Sequence, residues 1–586
     1  MNYNLNSLFE KSPKKSTYVA LKKLVQLIAH ERKNLILAFL AILLNSSLNL
    51  FGPFIIGHTI DNYVITKQFN GVLLFSGILF VMYLLALGTS YLQTQLMGGI
   101  GQRMLYTLRN AIFNKLQQLP VDFFNQNKAG DLISRINNDT DKLNQFFSQS
   151  LMQFIGSIFT MFGAAIFLLS INSKLGAATL VPAIFILLFT QLVSPWVKRK
   201  NAATLKSIGG LSAEIQESLS NFKVVIAFNR RDYFRKRFNE ANLDNYNTAV
   251  GAGLANNIFL PTYGLFSNIA QLIVLTYGIY LISAGQFTIG LLVSYLSYAT
   301  NLYNPLRQLA SLWSSFQLAM AGWDRVSLIL SLESNLTTSE SKVDIQSNSL
   351  LEFRDVYFSY PNGKEILRHI NLKIERGRTY ALVGPTGGGK TTTASLMARL
   401  YDPTKGIITL EGKDLKSYSE VERSEKIGFI LQEPFLFTGT IKDNILYGNE
   451  RYRNYNSEQL AELIKTSGLE DLLAIFENGL ETEVHIGGNS ISLGQKQVIA
   501  FIRAVLRNPD VLILDEATAN IDTVTEQLLD KILKKLPAET TLIIIAHRLN
   551  TIENADEIYF INSGEVTLAG SFHEAMDRLI KGKRLS

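Results

Sequence analysis

Long apolar stretches alternate with polar segments through the first half of the chain. Each stretch has roughly the 17 to 25 residues that an α-helix needs to cross a lipid bilayer. We therefore predict six membrane-spanning helices, over residues 35–56, 72–93, 148–169, 175–197, 258–282 and 288–313. A buried soluble core is a poor alternative, because six apolar runs of this length are typical of membrane proteins. The predicted fold of residues 34–332 is an α-helical transmembrane bundle.

Cations are distributed unevenly between the two ends of the predicted spans. The segments after the first, third and fifth spans are short and hold almost no cation beyond Lys67 and Lys174. The N-terminus and the connectors after the second and fourth spans are rich in Lys and Arg, which marks cytoplasmic loops. These cations include Lys11, Lys14, Lys15, Lys22, Lys23, Arg32, Lys33, Arg103, Arg109, Arg135, Lys198, Arg199, Lys200, Arg230 and Arg231. The C-terminal half is predicted to be cytoplasmic as well.

The net charge of +7 and the absence of cysteine exclude some classes of function. Membrane topology accounts for the excess of cations, and the sequence contains no base-stacking or base-reading module, so nucleic acid is not a predicted partner. Without cysteine there are no disulfides and no thiol-ligated metals.

Three further segments complete the predicted organisation. Residues 1–33 form a cytoplasmic N-terminus, in which one apolar helical face indicates a helix lying along the membrane surface: Leu21, Leu24, Val25, Leu27 and Ile28. Within the two long connectors, residues 103–124 and 209–238 have helical periodicity, so they are predicted to extend the spanning helices into the cytoplasm. Residues 333–349 are polar and form a linker. Strand and helix patterns then alternate over 350–586, which predicts an α/β domain.

A glycine-rich motif follows an apolar strand pattern of that domain, at 379–383, and precedes a helical pattern. Its glycines let backbone N–H groups approach a phosphate. Lys390 supplies a positive charge between the β and γ groups, and the hydroxyl of Thr391 can bind Mg²⁺. The setting predicts a P-loop that binds a nucleoside triphosphate, formed by Gly384, Pro385, Thr386, Gly387, Gly388, Gly389, Lys390, Thr391 and Thr392.

A second apolar run, at 511–514, ends in the carboxylates of Asp515 and Glu516. A buried parallel strand delivers acids to a nucleotide site in this way. Asp515 is predicted to hold Mg²⁺ through water, and Glu516 to polarise the attacking water. The pair alone could equally be a solvated strand end.

Further motifs support a role for Asp515 and Glu516 in a nucleotide site. In chain order, Tyr360, Gln432, the run 491–495, the segment 519–522 and His547 resemble those of an ATP-binding cassette. The resemblance covers the whole chain, because six spans followed by one cassette resemble a half-transporter of the ATP-binding cassette (ABC) exporter family. The implied second domain is therefore an α/β P-loop ATPase of the ABC type.

The resemblance implies a role for each motif. Tyr360 would stack on adenine, Gln432 would sense Mg²⁺ and the attacking water, and His547 would contact the γ-phosphate. The segments that complete the site of a second cassette would be Ser492, Leu493, Gly494 and Gln495 of the signature, together with Asp522. Two ATP molecules would then lie between two half-transporters, and both a homodimer and a heterodimer remain open.

One position departs from the family pattern. Two glycines usually follow the signature serine, whereas this chain has Leu493 before Gly494. The leucine is harmless if its side chain points away from ATP, and otherwise it weakens closure of the site. Glu516 and His547 are both present, so the chain's own P-loop side is predicted to be competent for hydrolysis.

Resemblance and polarity also suggest where coupling and cargo binding occur. In the first connector, the coupling segment is expected at Asn138, Asp139, Thr140 and Asp141. In the second connector, Phe228 within 225–232 would insert between cassette elements. Polar residues inside a span face the bundle interior or a cavity. They either bind cargo or form interhelical hydrogen bonds. These residues are Asn45, Asn49, Asn301, Asn304 and Arg307, with amphipathic aromatic surface from Tyr83, Tyr91, Tyr295 and Tyr298.

The predicted function is ATP-driven export by alternating access across a membrane, expected to be a bacterial cytoplasmic membrane. The cargo would be an amphipathic drug-like molecule, a lipid or a peptide, with ATP and Mg²⁺ as cofactors and membrane lipids as neighbours. The alternatives are a lipid flippase, and an ATP-gated channel or membrane regulator on the same scaffold, which would conduct ions without pumping cargo.

Overall fold

The computed structural model describes residues 3–5, 7–8, 31–334, 336, 338, 349–361, 363–432, 434–485, 491–515, 527, 529, 532–533, 536–545, 554–569, 573–574 and 577, with the side chains of 307 and 310 excepted. The predicted surface helix at 21–28 and most of the predicted linker lie outside these residues. The chain forms two compact units. The helical unit contains Lys11–Gln117 and Gly130–Ser331, and the α/β unit contains Met1–Glu10, Gln118–Ala129 and Leu332–Ser586.

Seven long helices and one short helix make up the described part of the helical unit. They are α1 (Arg32–Thr59), α2 (Phe69–Gln117), α4 (Ala129–Ile171), α5 (Ser173–Ser220), α6 (Phe222–Ala227), α7 (Arg231–Asn257), α8 (Phe259–Ser283) and α9 (Ile289–Leu330). The short helix α3 (Val121–Gln126) belongs to the α/β unit. A π turn, Ile60–Val64, follows α1, and two more, Arg135–Asp139 and Phe146–Ser150, interrupt α4. Asn172 separates α4 from α5, and its Oδ1 accepts from Leu175 N at 3.0 Å, which caps α5.

Five of the six predicted spans are confirmed by the length and apolar composition of the described helices: Arg32–Val64, Phe69–Gln117, Ala129–Ile171, Ser173–Ser220 and Arg231–Ser283. The sixth predicted span lies in α9, which is long enough but not among these five. Polar residues on α9, including Ser297, Thr300, Asn301 and Asn304, lower its mean hydropathy. The sixth span therefore stays a prediction. The predicted helical extensions are present, since α2 continues to Gln117 and α5 to Ser220.

Close packing joins α9 to its neighbours. A Cβ at Gly290 would lie 2.1 Å from Gly57 O, so the two helices meet through glycine backbones. Three buried tyrosines donate to carbonyl oxygens of other helices: Tyr295 to Leu168 at 2.6 Å, Tyr298 to Leu50 at 2.8 Å and Tyr303 to Thr179 at 2.6 Å. Tyr295 and Tyr298 thus form part of the packed core, which corrects the expectation that they give aromatic surface for cargo.

Three sheets form the α/β unit. Their strands are β1 (Leu351–Ser359), β2 (Glu365–Ile374), β3 (Thr379–Val383), β4 (Lys405–Leu410), β5 (Lys413–Asp414), β6 (Ile427–Ile430), β7 (Gly439–Thr440), β8 (Glu483–Val484), β9 (Val511–Asp515), β10 (Thr541–Ile545), β11 (Glu557–Asn562) and β12 (Glu565–Ala569). The largest sheet has the order β12-β11-β3-β10-β9-β6, in which only β12 is antiparallel. An antiparallel sheet has the order β2-β1-β4-β5, and β7 pairs with β8.

The two faces of the large sheet pack into separate cores. Along β3, Tyr380 and Leu382 join the antiparallel sheet on one face, while Ala381 and Val383 join a core with helices on the other. Besides α3, the described α-helices of this unit are α10 (Lys390–Met397), α11 (Glu420–Lys426), α12 (Ile441–Leu446), α13 (Ser457–Thr466) and α14 (Leu493–Val505). Because both faces are covered, β3, β9 and β10 read as continuous apolar runs. The sheet brings the carboxyl ends of these three strands to one edge.

Candidate nucleotide site and membrane cavity

The glycine-rich loop connects β3 to α10 in a conformation that requires glycine. Gly384, Gly387 and Gly389 have φ angles of 151°, 81° and 114°, which L side chains rarely adopt. A Cβ at Gly384 would lie 1.9 Å from Ile561 O, and one at Gly389 would lie 2.6 Å from Leu367 Cδ2. The loop therefore forms a narrow backbone cradle that ends at the N-terminus of α10, where N–H groups favour an anion.

A cation and two oxygen ligands converge on this cradle. Lys390 Nζ donates to Gly384 O at 3.0 Å and to Pro385 O at 3.1 Å. Thr391 Oγ1 donates to Asp515 Oδ1 at 3.2 Å, although the two residues are 124 positions apart. The sheet produces this contact, because β10 pairs with both β3 and β9 and aligns Ile545 with Leu382 and with Asp515.

The residues present fit a nucleoside triphosphate with Mg²⁺. The cradle excludes side chains, Lys390 supplies positive charge, and Thr391 and Asp515 offer the hard oxygen ligands that Mg²⁺ prefers. Bound Mg²⁺ would neutralise charge on the β- and γ-phosphates. These two oxygen ligands are already within hydrogen-bonding distance of each other.

Tyr360 lies beside this loop. Its hydroxyl is 3.3 Å from Thr392 Oγ1, on the helix that follows the P-loop. Phe358 and Tyr401 meet its ring edge to face, at centroid distances of 4.9 and 5.2 Å. The half-buried ring is thus held by aromatic neighbours next to the phosphate cradle, as the predicted adenine contact requires.

The remaining predicted catalytic residues are only partly described. Gln432 is exposed and follows β6, which pairs with β9. Glu516, Asp522 and His547 lie outside the described residues, so their predicted roles stay predictions. The strands that precede two of them are described, since β9 ends at Asp515, next to Glu516, and β10 ends at Ile545, two residues before His547.

The signature run begins a helix, as predicted. Ser492 is the N-cap of α14, where its Oγ accepts from Gln495 N at 3.2 Å and its N donates to Gln495 Oε1 at 2.9 Å. This capping box fixes the helix start. Gly494 is buried, whereas 36% of Leu493 is exposed. The leucine side chain therefore does not form part of the core beneath the helix.

A cavity of about 600 Å³ lies among the membrane helices. Asn49, Asn301 and Asn304 line it as predicted, together with Tyr83. The other lining residues are Pro53, Ile56, Ser157, Thr160, Ser297, Thr300, Pro305 and Gln308. None of these described lining residues carries a charge. The side chain of Arg307, also predicted here, lies outside the described residues.

Asn45 has a structural contact instead of a place in the cavity lining. Its Nδ2 donates to Ala86 O at 2.7 Å and to Thr89 Oγ1 at 3.1 Å, which joins α1 to α2. The sequence allowed either cargo binding or interhelical hydrogen bonding for Asn45, and its contacts are interhelical hydrogen bonds. Tyr91 is 70% exposed and is not a lining residue either.

In the first connector, the segment that joins the α/β unit is not the one predicted. Asp139 and Thr140 are buried in the helical unit, where Asp139 pairs with Lys142 at 2.9 Å and with Arg325 at 3.2 Å. The α/β unit instead includes Gln118–Ala129, and Asn125 Nδ2 donates to Tyr401 OH at 2.7 Å. The coupling role given to 138–141 therefore has no support in their placement. The aromatic pair Phe123-Phe124 is the sequence signal that could have indicated α3.

The short helix α6 of the second connector presents apolar side chains to solvent. Phe228 follows α6 and is 74% exposed, and Phe222, Val224 and Ile226 are exposed as well. We name Phe222, Val224, Ile226 and Phe228 the apolar tip; the inserting role of Phe228 stays a prediction.

Known proteins resemble this chain along its whole length. The family model for the ABC transporter transmembrane region matches residues 35–306, and the ABC transporter model matches residues 367–519. The ABC transporter ATP-binding protein YfiC of Bacillus subtilis is 32% identical over 566 residues, which cover 96% of this chain and 92% of that protein. A fatty acid ABC transporter ATP-binding/permease protein of Mycobacterium tuberculosis is 32% identical over 85% of this chain and 78% of its own length.

A third relative is an ATP-dependent lipid A-core flippase of Syntrophus aciditrophicus, 29% identical over 95% of this chain and 92% of its own length. These matches join both units of the chain to one architecture, in which a membrane region precedes a nucleotide-binding domain. The chain therefore belongs to the ABC transporter family, as a half-transporter that couples ATP hydrolysis to transport across a membrane.

Proposed function

We propose that this chain is one half of a dimeric exporter that moves an uncharged, hydrogen-bonding amphipathic molecule out of the cytoplasm of a bacterium. The lining of the membrane cavity carries the proposal. Its described residues offer amide and hydroxyl groups beside apolar and aromatic surface, and none of them is charged. A neutral polar headgroup attached to an apolar body matches this chemistry better than an ion does.

The relatives favour an amphipathic cargo. Their names specify a fatty acid transporter, multidrug resistance transporters and a lipid A-core flippase. All three kinds of cargo are amphipathic. A flippase is thus a second candidate, favoured by the last of these names, and it differs from drug export only in cargo.

Two half-transporters are needed because one chain does not contain a complete ATP site. The P-loop of one half would face Ser492 at the start of α14 in the other half, and the phosphates would lie between two helix N-termini. Mg²⁺ would be held by Thr391 and Asp515, with Gln432 nearby, and Glu516 would polarise the attacking water. His547 would contact the γ-phosphate, and Asp522 would align the two halves.

Coupling is assigned to both cytoplasmic connectors. Closure of the two halves on ATP would move α3 through Tyr401, which contacts both Asn125 and the predicted adenine contact Tyr360. Phe228, at the apolar tip of the second connector, would dock on the partner. Two states with different ATP affinity suffice for alternating access.

The first experiment compares the unmodified chain with Glu516→Gln in lipid nanodiscs, by ATPase rate and by the mass of the assembly. Glu539→Gln, an exposed carboxylate in the same unit, is the matched control. A dimer whose hydrolysis is lost only in Glu516→Gln would support a self-sufficient homodimer. A monomer, or a dimer without turnover that depends on Glu516, would contradict the homodimer and direct the search to a second chain.

Cargo class is tested by ATPase stimulation with neutral and cationic amphiphiles of similar size. The lining predicts stimulation by the neutral compounds and its loss in Asn304→Leu, with Asn62→Leu as a control outside the cavity. Stimulation by cations alone would contradict the proposed cargo. Ion conductance that opens with ATP and needs no cargo would instead support a channel.

A further inference from the structure

The first residues of the chain lie against the short helix of the first connector. Tyr3 and Leu5 are 1% and 0% exposed, although they belong to a polar N-terminal segment more than 100 residues away from α3. Large apolar side chains become fully buried in this way only where a surface receives them. The two residues and α3 all belong to the α/β unit.

Side-chain amides of the connector bind the backbone of this segment. Tyr3 N donates to Gln126 Oε1 at 2.9 Å, and Leu5 N donates to Asn127 Oδ1 at 3.0 Å. Asn127 Nδ2 in turn donates to Tyr3 O at 2.9 Å. Asn127 therefore pairs with the N-terminal backbone as a neighbouring strand would, with one donor and one acceptor.

The Tyr3 side chain ties this segment to two other parts of the unit. Its ring meets Phe123 of α3 edge to face, with centroids 6.3 Å apart. Its hydroxyl donates to Glu333 O at 2.9 Å, a short way beyond the end of α9. A turn follows, in which Ser7 N donates to Asn4 Oδ1 at 3.1 Å. Residues 3–5 thus bridge α3 and the beginning of the linker.

The same helix contacts the nucleotide site. Asn125 of α3 is bonded to Tyr401, whose ring packs on Tyr360 next to the P-loop helix. Any movement of α3 relative to the α/β unit would break this contact. A segment that fixes α3 therefore also fixes the orientation of Tyr401 beside the predicted adenine contact.

We propose that residues 3–5, which we name the N-terminal clasp, hold α3 in place so that the first connector follows movements of the nucleotide site. Tyr3 and Leu5 are positioning residues, because they act through α3 and do not contact nucleotide. The proposal rests on the coupling role given above to the first connector. It assigns a function to the extreme N-terminus, ahead of the membrane helices.

The test uses a variant that lacks residues 1–8 and a synthetic peptide with their sequence, labelled at its C-terminus. In nanodiscs, the labelled peptide should bind the truncated protein saturably by fluorescence anisotropy. Truncation should lower the ATPase rate by about fivefold, roughly the effect of losing one well-placed hydrogen bond. Saturating peptide should restore the rate, which a merely misfolded protein would not allow.

A peptide carrying Tyr3→Ala and Leu5→Ala is the matched control and should neither bind nor restore activity. In the full chain, Asn127→Ala should reproduce the loss of ATPase rate. Asn62→Ala is its control, because the Nδ2 atoms of Asn127 and Asn62 each donate to the carbonyl four residues earlier, to Phe123 O at 2.8 Å and to His58 O at 3.0 Å. Asn62 is far along the chain from the clasp. This second pair of variants keeps the test decisive even if the truncated chain does not fold.

An unchanged ATPase rate in both the truncated chain and Asn127→Ala would overturn the clasp. So would equal binding of the two peptides, or a loss of rate in Asn127→Ala no greater than in Asn62→Ala. Failure of the proposed transport function looks different, because the full chain would then show no Glu516-dependent turnover while peptide binding remained measurable.

Discussion

Each of the two connectors contains a short helix, and the surroundings of these two helices differ. Each helix, α3 and α6, has six residues. In α3, Phe123 is fully buried, and neighbouring side chains bond to Tyr401 and to the N-terminal clasp. Around α6, by contrast, Phe222, Val224, Ile226 and Phe228 are exposed, and Phe228 is exposed by 74%.

This difference separates contacts that one chain completes from contacts that need another surface. Clustered exposed apolar side chains mark an interaction site. The helix α3 of the first connector packs within its own α/β unit. We infer that the apolar tip of the second connector packs against the partner. The first connector also keeps some apolar surface for a second contact, because Phe124 of α3 is 45% exposed.

The largest effect is expected from Phe228→Asp. A charge at this position should abolish docking of the apolar tip, because burying a phenylalanine contributes about 1.5–3 kcal/mol. The ATPase rate in nanodiscs should fall by about tenfold or more, which corresponds to about 1.4 kcal/mol. Thermal stability of the single chain should change little, since the side chain is mostly exposed.

Leu243→Asp serves as the control for that substitution. Leu243 is 60% exposed on α7 and lies 15 positions beyond Phe228 in the sequence. It matches Phe228 in being an exposed apolar residue of the same connector. If both substitutions lowered the ATPase rate equally, the tip would have no special role and the contrast between the connectors would disappear.

A smaller effect is expected at the first connector, from Asn125→Ala and Tyr401→Phe. Both remove the bond between Asn125 Nδ2 and Tyr401 OH, and Tyr401→Phe keeps the ring that packs on Tyr360. Each should lower the ATPase rate by about fivefold, in line with about 1 kcal/mol for one hydrogen bond. The double variant should lose no more than either single one. Additive losses would show that the two residues act separately.

The site could be predicted from sequence where its chemistry is local. The P-loop and the strand that ends at Asp515 are contiguous motifs, and the parallel sheet then brings Thr391 and Asp515 together. The same holds for Ser492, because a capping box is a four-residue pattern. Five spans could also be predicted from the sequence, because the length and apolar composition of a helix identify them.

The failures concern residues whose role depends on which neighbour they face. Asn45 and Asn49 are one helical turn apart, yet one bonds to α2 and the other lines the cavity. Tyr295 and Tyr298 were expected on a surface but are buried, because a carbonyl of another helix accepts from each hydroxyl. Asp139 was expected at a coupling contact and instead pairs with Arg325, far along the chain. No local pattern specifies such partners.

The smallest expected effect concerns the packing of α3 within the α/β unit. Asp122 of α3 is buried, and desolvation raises the pKa of its carboxyl, although a hydrogen bond from Gln126 at 3.0 Å opposes this. A carboxyl whose folded pKa lies above its unfolded value of about 3.9 destabilises the folded state at neutral pH. This penalty disappears as the pH falls through the folded pKa, so the free energy of unfolding should rise on mild acidification.

Asp122→Asn should remove this pH dependence and raise the free energy of unfolding at pH 7, because the amide has no charge to desolvate. Asn keeps an oxygen that accepts from Gln126, so the hydrogen bond is a constant in the comparison. The measurement is thermal unfolding in nanodiscs from pH 7 down to pH 5, with the exposed Asp471→Asn as the control. A stability gain on acidification that persisted unchanged in Asp122→Asn would mean that another group titrates, and that burial of α3 costs this carboxyl nothing.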